Sequence, residues 1–122
     1  MNEEGLRVLL VEDEAMIRMM VVDMLQELGH AIAAEAGSLD QALDRAQSAD
    51  FDLAILDVNL NGKVIWPVAE VVAARGIPFI FATGYGSAGL PEPFHDRLAL
   101  PKPFTIEALA AAIHEALGSR GQ

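Results

Sequence analysis

The chain has 122 residues, of which 52% are hydrophobic and 21% are charged, a balance typical of one globular domain and not of a disordered chain. It contains no cysteine, which excludes a disulfide scaffold and any cysteine-ligated metal or redox site. The net charge is −10, and residues 1–61 carry 13 acids against 3 bases, so we expect no direct binding to nucleic acid, because a polyanion would be repelled.

Five short apolar runs recur along the chain and predict strands. The runs begin 24, 22, 26 and 18 residues apart and cover residues 7–11, 31–34, 53–56, 79–82 and 97–100. Because they lack polar alternation, they suit strands that are covered on both faces, as in a parallel sheet.

The first connection has the periodicity of an amphipathic helix that ends at Gly29, a residue suited to the position after a helix. Its apolar residues form one stripe, which we expect to face the core, with a partner-binding groove as the alternative: Met16, Ile17, Met20, Val21, Met24, Leu25 and Leu28.

Three further connections also predict helices. In the second, Ser38 and Gln41 have the spacing of a capping box. The third covers residues 64–75, ends at Gly76 and places Trp66 at its start, where we expect the indole to pack near the strand ends. The last helix begins after Thr105, a suitable N-cap, and is expected to stop at Gly118.

The connection between the fourth and fifth strands, residues 83–96, is unusual. A parallel crossover with its helix needs at least about 10–12 residues, and this one also contains three glycines and two prolines, the poorest helix formers. We expect a short or irregular helix there. The five βα units then fill the chain as one doubly wound α/β domain over residues 1–122.

Polar residues follow the predicted strands at the edge where such sheets carry their chemistry. Glu12, Asp13 and Glu14 follow the first strand, Asp57 the third, Thr83 the fourth, and Lys102 lies just beyond the fifth. Converging carboxylates suit a hard cation such as Mg²⁺ or Mn²⁺. A carboxylate such as Asp57 is also a possible nucleophile toward phosphorus. The acids after the first strand have a simpler alternative role as caps of the first helix, and Lys102 as a solvated turn residue.

The ordered set resembles the receiver domain of two-component response regulators over residues 6–118. The segments that carry the resemblance are Val11-Glu12-Asp13-Glu14, Leu56-Asp57, Ala82-Thr83-Gly84 and Lys102-Pro103-Phe104. The resemblance implies the flavodoxin-like strand order 2-1-3-4-5 and a cis bond between Lys102 and Pro103. It also implies that the phosphoryl donor is a histidine kinase or a histidine phosphotransfer protein.

The resemblance further assigns roles to single residues. Asp57 would be the phosphoacceptor, and Thr83 and Lys102 would sense the phosphoryl group. The Mg²⁺ ligands would be the side chains of Glu12, Asp13 and Asp57 and the backbone carbonyl of Asn59.

Residues 78–85 are similar to the signature of a subfamily with the core Phe-Ala-Thr-Gly, known mainly as stand-alone regulators in alphaproteobacteria. The sequence departs from the common receiver pattern in the loop after Asp57, which lacks the usual proline-glycine motif, and at Ala99, where the family often has an aromatic switch residue. Tyr85 is a candidate substitute for that aromatic in the switch.

The leading interpretation is a single-domain response regulator without an output domain. It would not be an enzyme, although it would assist its own phosphorylation and dephosphorylation. It would signal through a conformational change in residues 83–96 and contact with an unknown protein target. No apolar run approaches about 18 residues and the N-terminus is acidic, so we expect a cytoplasmic protein without membrane contact.

Three alternatives remain open. They are an unphosphorylated pseudo-receiver, which Mg²⁺ binding would argue against, a flavin or nucleotide binder, and a metal-dependent phosphohydrolase. The acids after the first strand would repel the phosphate of a flavin or nucleotide, and no substrate-binding cap is visible for a hydrolase.

Overall fold

The computed structural model describes residues 5–83 and 98–120, with the side chains of residues 119 and 120 excepted. Its elements in chain order are β1 (Arg7–Val11), α1 (Ala15–Glu27), β2 (Ala31–Ala36), α2 (Leu39–Ser48), β3 (Leu53–Asp57), β4 (Asn59–Leu60), β5 (Lys63–Val64), α3 (Trp66–Ala74), β6 (Phe79–Thr83), β7 (Ala99–Pro101) and α4 (Ile106–Arg120).

Five strands form one parallel sheet in the order β2-β1-β3-β6-β7. Since β6 and β7 are the fourth and fifth long runs of the sequence, the predicted doubly wound sheet of order 2-1-3-4-5 is confirmed. Strands β2, β3 and β6 extend one or two residues beyond their predicted ends. Asp57 and Thr83 are therefore the last residues of their strands rather than the first residues after them.

The sheet lies between two hydrophobic cores. On one face, side chains such as Leu10 and Ile55 pack with Leu25 of α1 and Leu109 of α4. On the other, Leu9, Leu56 and Phe81 pack with α2 and α3, for example with Val72. Successive strand residues point to opposite faces, so strands without polar alternation bury both sides. This burial holds the strand ends, and hence the polar residues there, in fixed positions.

The α1 stripe is only partly in the core, and the prediction is wrong for two of its methionines. Met16 is 79% exposed and Met20 is 55% exposed, whereas Val21 and Leu25 are buried. The inward line of α1 runs at intervals of four through Ile17, Val21 and Leu25, and the residue before each of these lies about 100° around the helix. Met16 and Met20 therefore lie on the flank of the stripe.

Most of the predicted helix boundaries are confirmed. Ser38 Oγ accepts a hydrogen bond from Gln41 N at 3.2 Å, and Thr105 Oγ1 accepts one from Ala108 N at 3.1 Å. Gly29 and Gly76 follow α1 and α3 with φ of 92° and 74°. One C-terminal end is wrong: α4 continues through Gly118 to Arg120, because a single glycine weakens a helix without breaking it.

A short antiparallel hairpin, β4–β5, follows β3 and was not predicted. Its turn residues Asn61 and Gly62 have φ of 52° and 85°, the left-handed pair that a tight hairpin turn requires. Asn59 Oδ1 accepts a hydrogen bond from Gly62 N at 2.8 Å and closes the turn. Because Lys63 and Val64 belong to this hairpin, α3 begins at Trp66 and not at residue 64.

Residues 84–97 lie outside the described part of the chain, and with them the predicted irregular helix, Tyr85 and the start of the fifth predicted strand at Arg97. The bond between Lys102 and Pro103 is cis, as expected. Among the described residues, no helix has both the length and the apolar character needed to cross a membrane.

Candidate functional site

Strand register brings the predicted site residues to one edge of the sheet. Val11, which precedes Glu12, pairs with Leu56, and Asp57 pairs with Ala82 in the neighbouring strand. Thr83 pairs with Pro101, the residue before Lys102. Each polar residue thus stands at or directly after the carboxyl end of a strand, next to the end of the adjacent one. Residues separated by up to 90 positions in sequence become neighbours.

Three carboxylates form a tight cluster at this edge. Glu12, Asp13 and Asp57 each contribute an oxygen, and these oxygens all lie within 4.8 Å of one another. Glu12 and Asp57 are buried and Asp13 is half-buried. Such close negative charges repel unless a cation offsets them. An all-oxygen donor set selects a hard cation, so the three residues fit Mg²⁺.

Glu14, the fourth acid of the predicted group, is exposed and lies outside the cluster. It occupies the N-cap position of α1, but its side chain makes no capping hydrogen bond. Its backbone N–H instead donates to Glu12 Oε2 at 3.1 Å. The geometry therefore does not support helix capping as the role of Glu14, and Glu12 turns into the site.

Lys102 reaches into the cluster from the loop after β7. Its Nζ donates to Glu12 Oε1 at 3.1 Å and to Asp57 Oδ2 at 3.3 Å. Burial opposes the charge of Lys102, but the hydrogen bond to Glu12 and the charge of Asp57 outweigh it and raise the pKa of the ammonium group. Lys102 is thus held as a cation beside two carboxylates and is not merely a solvated turn residue.

Asp57 is the site carboxyl group whose pKa is strongly raised. Its side chain is almost wholly buried, and burial together with the charge of Glu12 raises its pKa from the ordinary 3.8 to about 7. The charge of Lys102 and a hydrogen bond from the Asn59 amide oppose this rise without cancelling it. Without a bound metal ion, burial and the charge of Glu12 therefore favour the protonated form of Asp57.

Asp13 behaves in the opposite way. Burial would raise its pKa, but the hydrogen bonds it accepts, the one from the Asn61 amide foremost, outweigh burial and lower the pKa below the ordinary value. The bond from Asn61 N to Asp13 Oδ2 is 2.9 Å long. Asp13 is therefore held ionised by the β4–β5 turn, a role that went unrecognised in the sequence although the Asn-Gly turn signal was present.

Asn59 and Thr83 lie beside the cluster. Their roles, as a metal ligand and as a sensor of the phosphoryl group, stay predictions. The backbone N–H of Asn59 donates to Asp57 Oδ1 at 3.4 Å, which places this loop residue next to the phosphoacceptor candidate. Thr83 is buried, and its carbonyl accepts a hydrogen bond from the backbone N–H of Lys102 at 2.9 Å. The main chain therefore links the β6 end to the lysine loop.

Trp66 and Ala99 are both neighbours of Phe81 in β6. The Trp66 ring meets Phe81 edge-on, with centroids 5.6 Å apart, and both belong to the core beneath the sheet edge. This confirms the predicted packing role of Trp66. Ala99 pairs with Phe81 in the sheet and is half-buried, so no aromatic switch side chain stands at this position of β7.

Comparison with known proteins gives consistent results. The family model described as response regulator receiver domain matches residues 8–114. The solution structure of SdrG from Sphingomonas melonis Fr1 is similar, with 42% identity, a TM-score of 0.83 and coverage of 96% of this chain and 99% of that one. SdrG from Pseudomonas melonis Fr1 in its BeF3-activated conformation gives 44% identity, a TM-score of 0.76 and coverage of 91% and 94%.

A curated relative is longer than this chain. The transcriptional regulatory protein PdtaR of Mycobacterium tuberculosis is 37% identical over 115 residues, which cover 91% of this chain and 56% of PdtaR. The chain thus spans about half the length of this relative.

Proposed function

Because the chain belongs to the response regulator receiver domain family, we propose that it accepts a phosphoryl group on Asp57 in a Mg²⁺-dependent reaction. The observation that carries the proposal is the position of Asp57. It is a buried carboxylate at a strand end, within hydrogen-bonding distance of Lys102 and clustered with Glu12 and Asp13. Glu12 is also buried and bonded to Lys102, but it follows β1, whereas Asp57 is the last residue of β3, the middle strand of the sheet.

In the proposed reaction, a carboxylate oxygen of Asp57 attacks the phosphorus atom of a phosphohistidine. The new P–O bond forms as the P–N bond breaks, and the imidazole of the donor histidine leaves. The donor would be a histidine kinase or a histidine phosphotransfer protein. Lys102 would pair with the transferred phosphoryl oxygens, since a charge-assisted hydrogen bond is among the strongest available to it.

The metal would be held by Glu12, Asp13, Asp57 and the backbone carbonyl of Asn59. Bound there, Mg²⁺ would neutralise negative charge on the phosphoryl oxygens. Two features of the chain support this assignment. The three carboxylates lie close enough to share one ion, and the pKa of Asp57 is raised first by burial and then by the charge of Glu12, both of which a bound cation would offset.

The output is proposed to be a change in residues 83–96, sensed by Thr83 with Tyr85 as the aromatic partner, and read by a protein target. Support comes from SdrG, of which a BeF3-activated conformation is known. The Phe-Ala-Thr-Gly segment and the near-complete coverage of the SdrG chain support the further proposal that residues 1–122 form a single receiver domain of the SdrG kind.

Intact-mass spectrometry tests the phosphoacceptor role. We expect the wild type, incubated with acetyl phosphate and Mg²⁺, to gain the mass of one phosphoryl group and to gain none when EDTA replaces Mg²⁺. Asp57→Asn should gain none. Asp52→Asn is the matched control, because Asp52 lies at the opposite end of β3 and pairs with Arg7. Equal labelling of Asp57→Asn and the wild type would refute the proposal.

A further inference from the structure

Arg18, in the first turn of α1, holds the loop that carries two of the three clustered acids. Its Nη1 donates to the backbone carbonyl of Glu12 at 2.5 Å. Its Nε donates to Glu35 Oε1 at 3.1 Å, so the guanidinium group is anchored to the end of β2. The side chain is only 24% exposed. Arg18 therefore joins three segments, α1, β2 and the loop after β1, through one rigid planar group.

The main chain of Glu12 is held from both sides. Its N–H donates to the carbonyl of Ala36 at 3.0 Å, and its carbonyl accepts from Arg18. That carbonyl belongs to the peptide plane that joins the Cα atoms of Glu12 and Asp13. Holding this plane therefore restrains the two Cα atoms from which two of the three carboxylates extend.

Because Gly37 has no side chain, the guanidinium group of Arg18 fits beside it. A Cβ atom on Gly37 would lie 3.0 Å from Arg18 Nη1 and 3.8 Å from the Glu12 carbonyl oxygen. Its φ is outside the left-handed region, so the backbone does not demand glycine and the constraint is one of space. The Gly37 N–H donates to Gln41 Oε1, a bond that an alanine would keep.

We propose that Arg18 is a positioning residue for the divalent-cation site, acting through the Glu12 carbonyl and dependent on the space left by Gly37. The inference rests on the proposed function, since it concerns how the same carboxylates are aimed at the cation. Residues that orient metal ligands without touching the metal affect affinity strongly, by about 10–100-fold when removed.

Charge and positioning predict opposite effects for Arg18. Removing a positive charge near the cluster would, by electrostatics alone, tighten the binding of a cation. Removing a positioning contact would weaken that binding, because the Glu12–Asp13 peptide would no longer be fixed. The sign of the change in Mg²⁺ affinity therefore separates the two roles.

The test is isothermal titration calorimetry of the full chain with Mg²⁺ alone. We expect Arg18→Gln to bind Mg²⁺ about tenfold more weakly than the wild type. Gly37→Ala should also bind more weakly although no charge changes, because its methyl group would push the guanidinium a few tenths of an ångström from its position against the Glu12 carbonyl. Arg45→Gln is the matched control, since Arg45 pairs with Asp44 on α2, and its affinity should be unchanged.

Two further measurements make the proposal specific. In the metal-free protein, the carbonyl ¹³C resonance of Glu12 should shift in Arg18→Gln and in Gly37→Ala but not in Arg45→Gln. If Gly37 acts through Arg18, the double variant should bind Mg²⁺ no more weakly than Arg18→Gln alone. Thermal unfolding of each variant verifies that it is folded at the temperature of the titration.

The outcomes distinguish this inference from the proposed function. A wild type that binds no Mg²⁺ and takes no phosphoryl group would overturn both. A wild type that does both, with an Arg18→Gln variant that binds Mg²⁺ equally or more tightly, would overturn the positioning role alone. An unchanged Mg²⁺ affinity in Gly37→Ala would overturn the part assigned to Gly37.

Discussion

Replacing Asp57 with asparagine should stabilise the metal-free protein, and the gain should depend on pH. The pKa of Asp57 is raised from 3.8 to about 7, first by burial and then by the charge of Glu12. The folded protein therefore binds a proton at this carboxyl more tightly than the unfolded chain does. As pH rises from 3.8 to about 7, the unfolded chain loses this proton first, so the unfolded state is favoured. Wild-type stability therefore falls relative to that of a variant that cannot ionise at this position.

The magnitude follows from the difference between the two pKa values. The pKa of Asp57 is higher by about 3 in the folded protein than in the unfolded chain. At about 1.36 kcal/mol per pKa unit, this difference changes the free energy of unfolding by up to about 4 kcal/mol. The stability gained by Asp57→Asn over the wild type should therefore increase by that amount between pH 3.8 and about 7, and level off at higher pH. Carboxyl groups remote from the site largely cancel in the comparison, whereas Glu12, whose charge interacts with that of Asp57, does not.

Urea unfolding in EDTA, repeated at a series of pH values with far-UV circular dichroism as the signal, measures this difference. Saturating Mg²⁺ is the control, since a bound cation should favour the ionised carboxylate and abolish most of the advantage of asparagine. Two stability curves that run parallel from pH 4 to 8 would refute the argument that repulsion and burial strain Asp57.

Three other changes have defined outcomes. Lys102→Ala should bind Mg²⁺ at least as tightly as the wild type in calorimetry, because a neighbouring positive charge is lost. Beryllofluoride should nevertheless fail to shift the NMR spectrum of this variant to an activated form. Weaker Mg²⁺ binding would contradict the first expectation. Gly62→Ala should lower the free energy of unfolding by about 1–2 kcal/mol, because φ there is 85°; an unchanged urea midpoint would count against the turn assignment. Mg²⁺ should change the fluorescence of Trp66, and the change should disappear in Asp13→Ala; a response that persists in that variant would place its origin outside the acid cluster.

The sheet and its reactive edge were predictable because they follow from simple regularities. Continuous apolar runs at regular spacing give parallel strands, and the ends of such strands must meet. Glu12, Asp57 and Lys102 could therefore be placed together although they lie far apart in sequence. What spacing could not supply was their electrostatics: the pKa of Asp57 depends on how deeply the carboxylate is buried, which only the packed structure fixes.

Other features escaped because sequence patterns leave local choices undecided. The periodicity of α1 defines a broad apolar stripe but not which edge of it packs, so it predicts Met16 and Met20 in the core, whereas both are exposed. The strands β4 and β5 have two residues each, which is too short for an alternating pattern of polar and apolar residues to be recognised. No sequence motif indicates the contact of Arg18, since its partner is a backbone carbonyl, a group that every residue carries.

Trapping the acyl phosphate is the most direct test of the role of Asp57. After incubation with Mg²⁺ and acetyl phosphate, borohydride reduces an aspartyl phosphate to homoserine, and peptide mass spectrometry then locates the change. We expect homoserine at position 57 and unmodified carboxyl groups at Glu12 and Asp13. Homoserine at another position, or a phosphorylated protein in which residue 57 remains aspartate, would contradict the assignment.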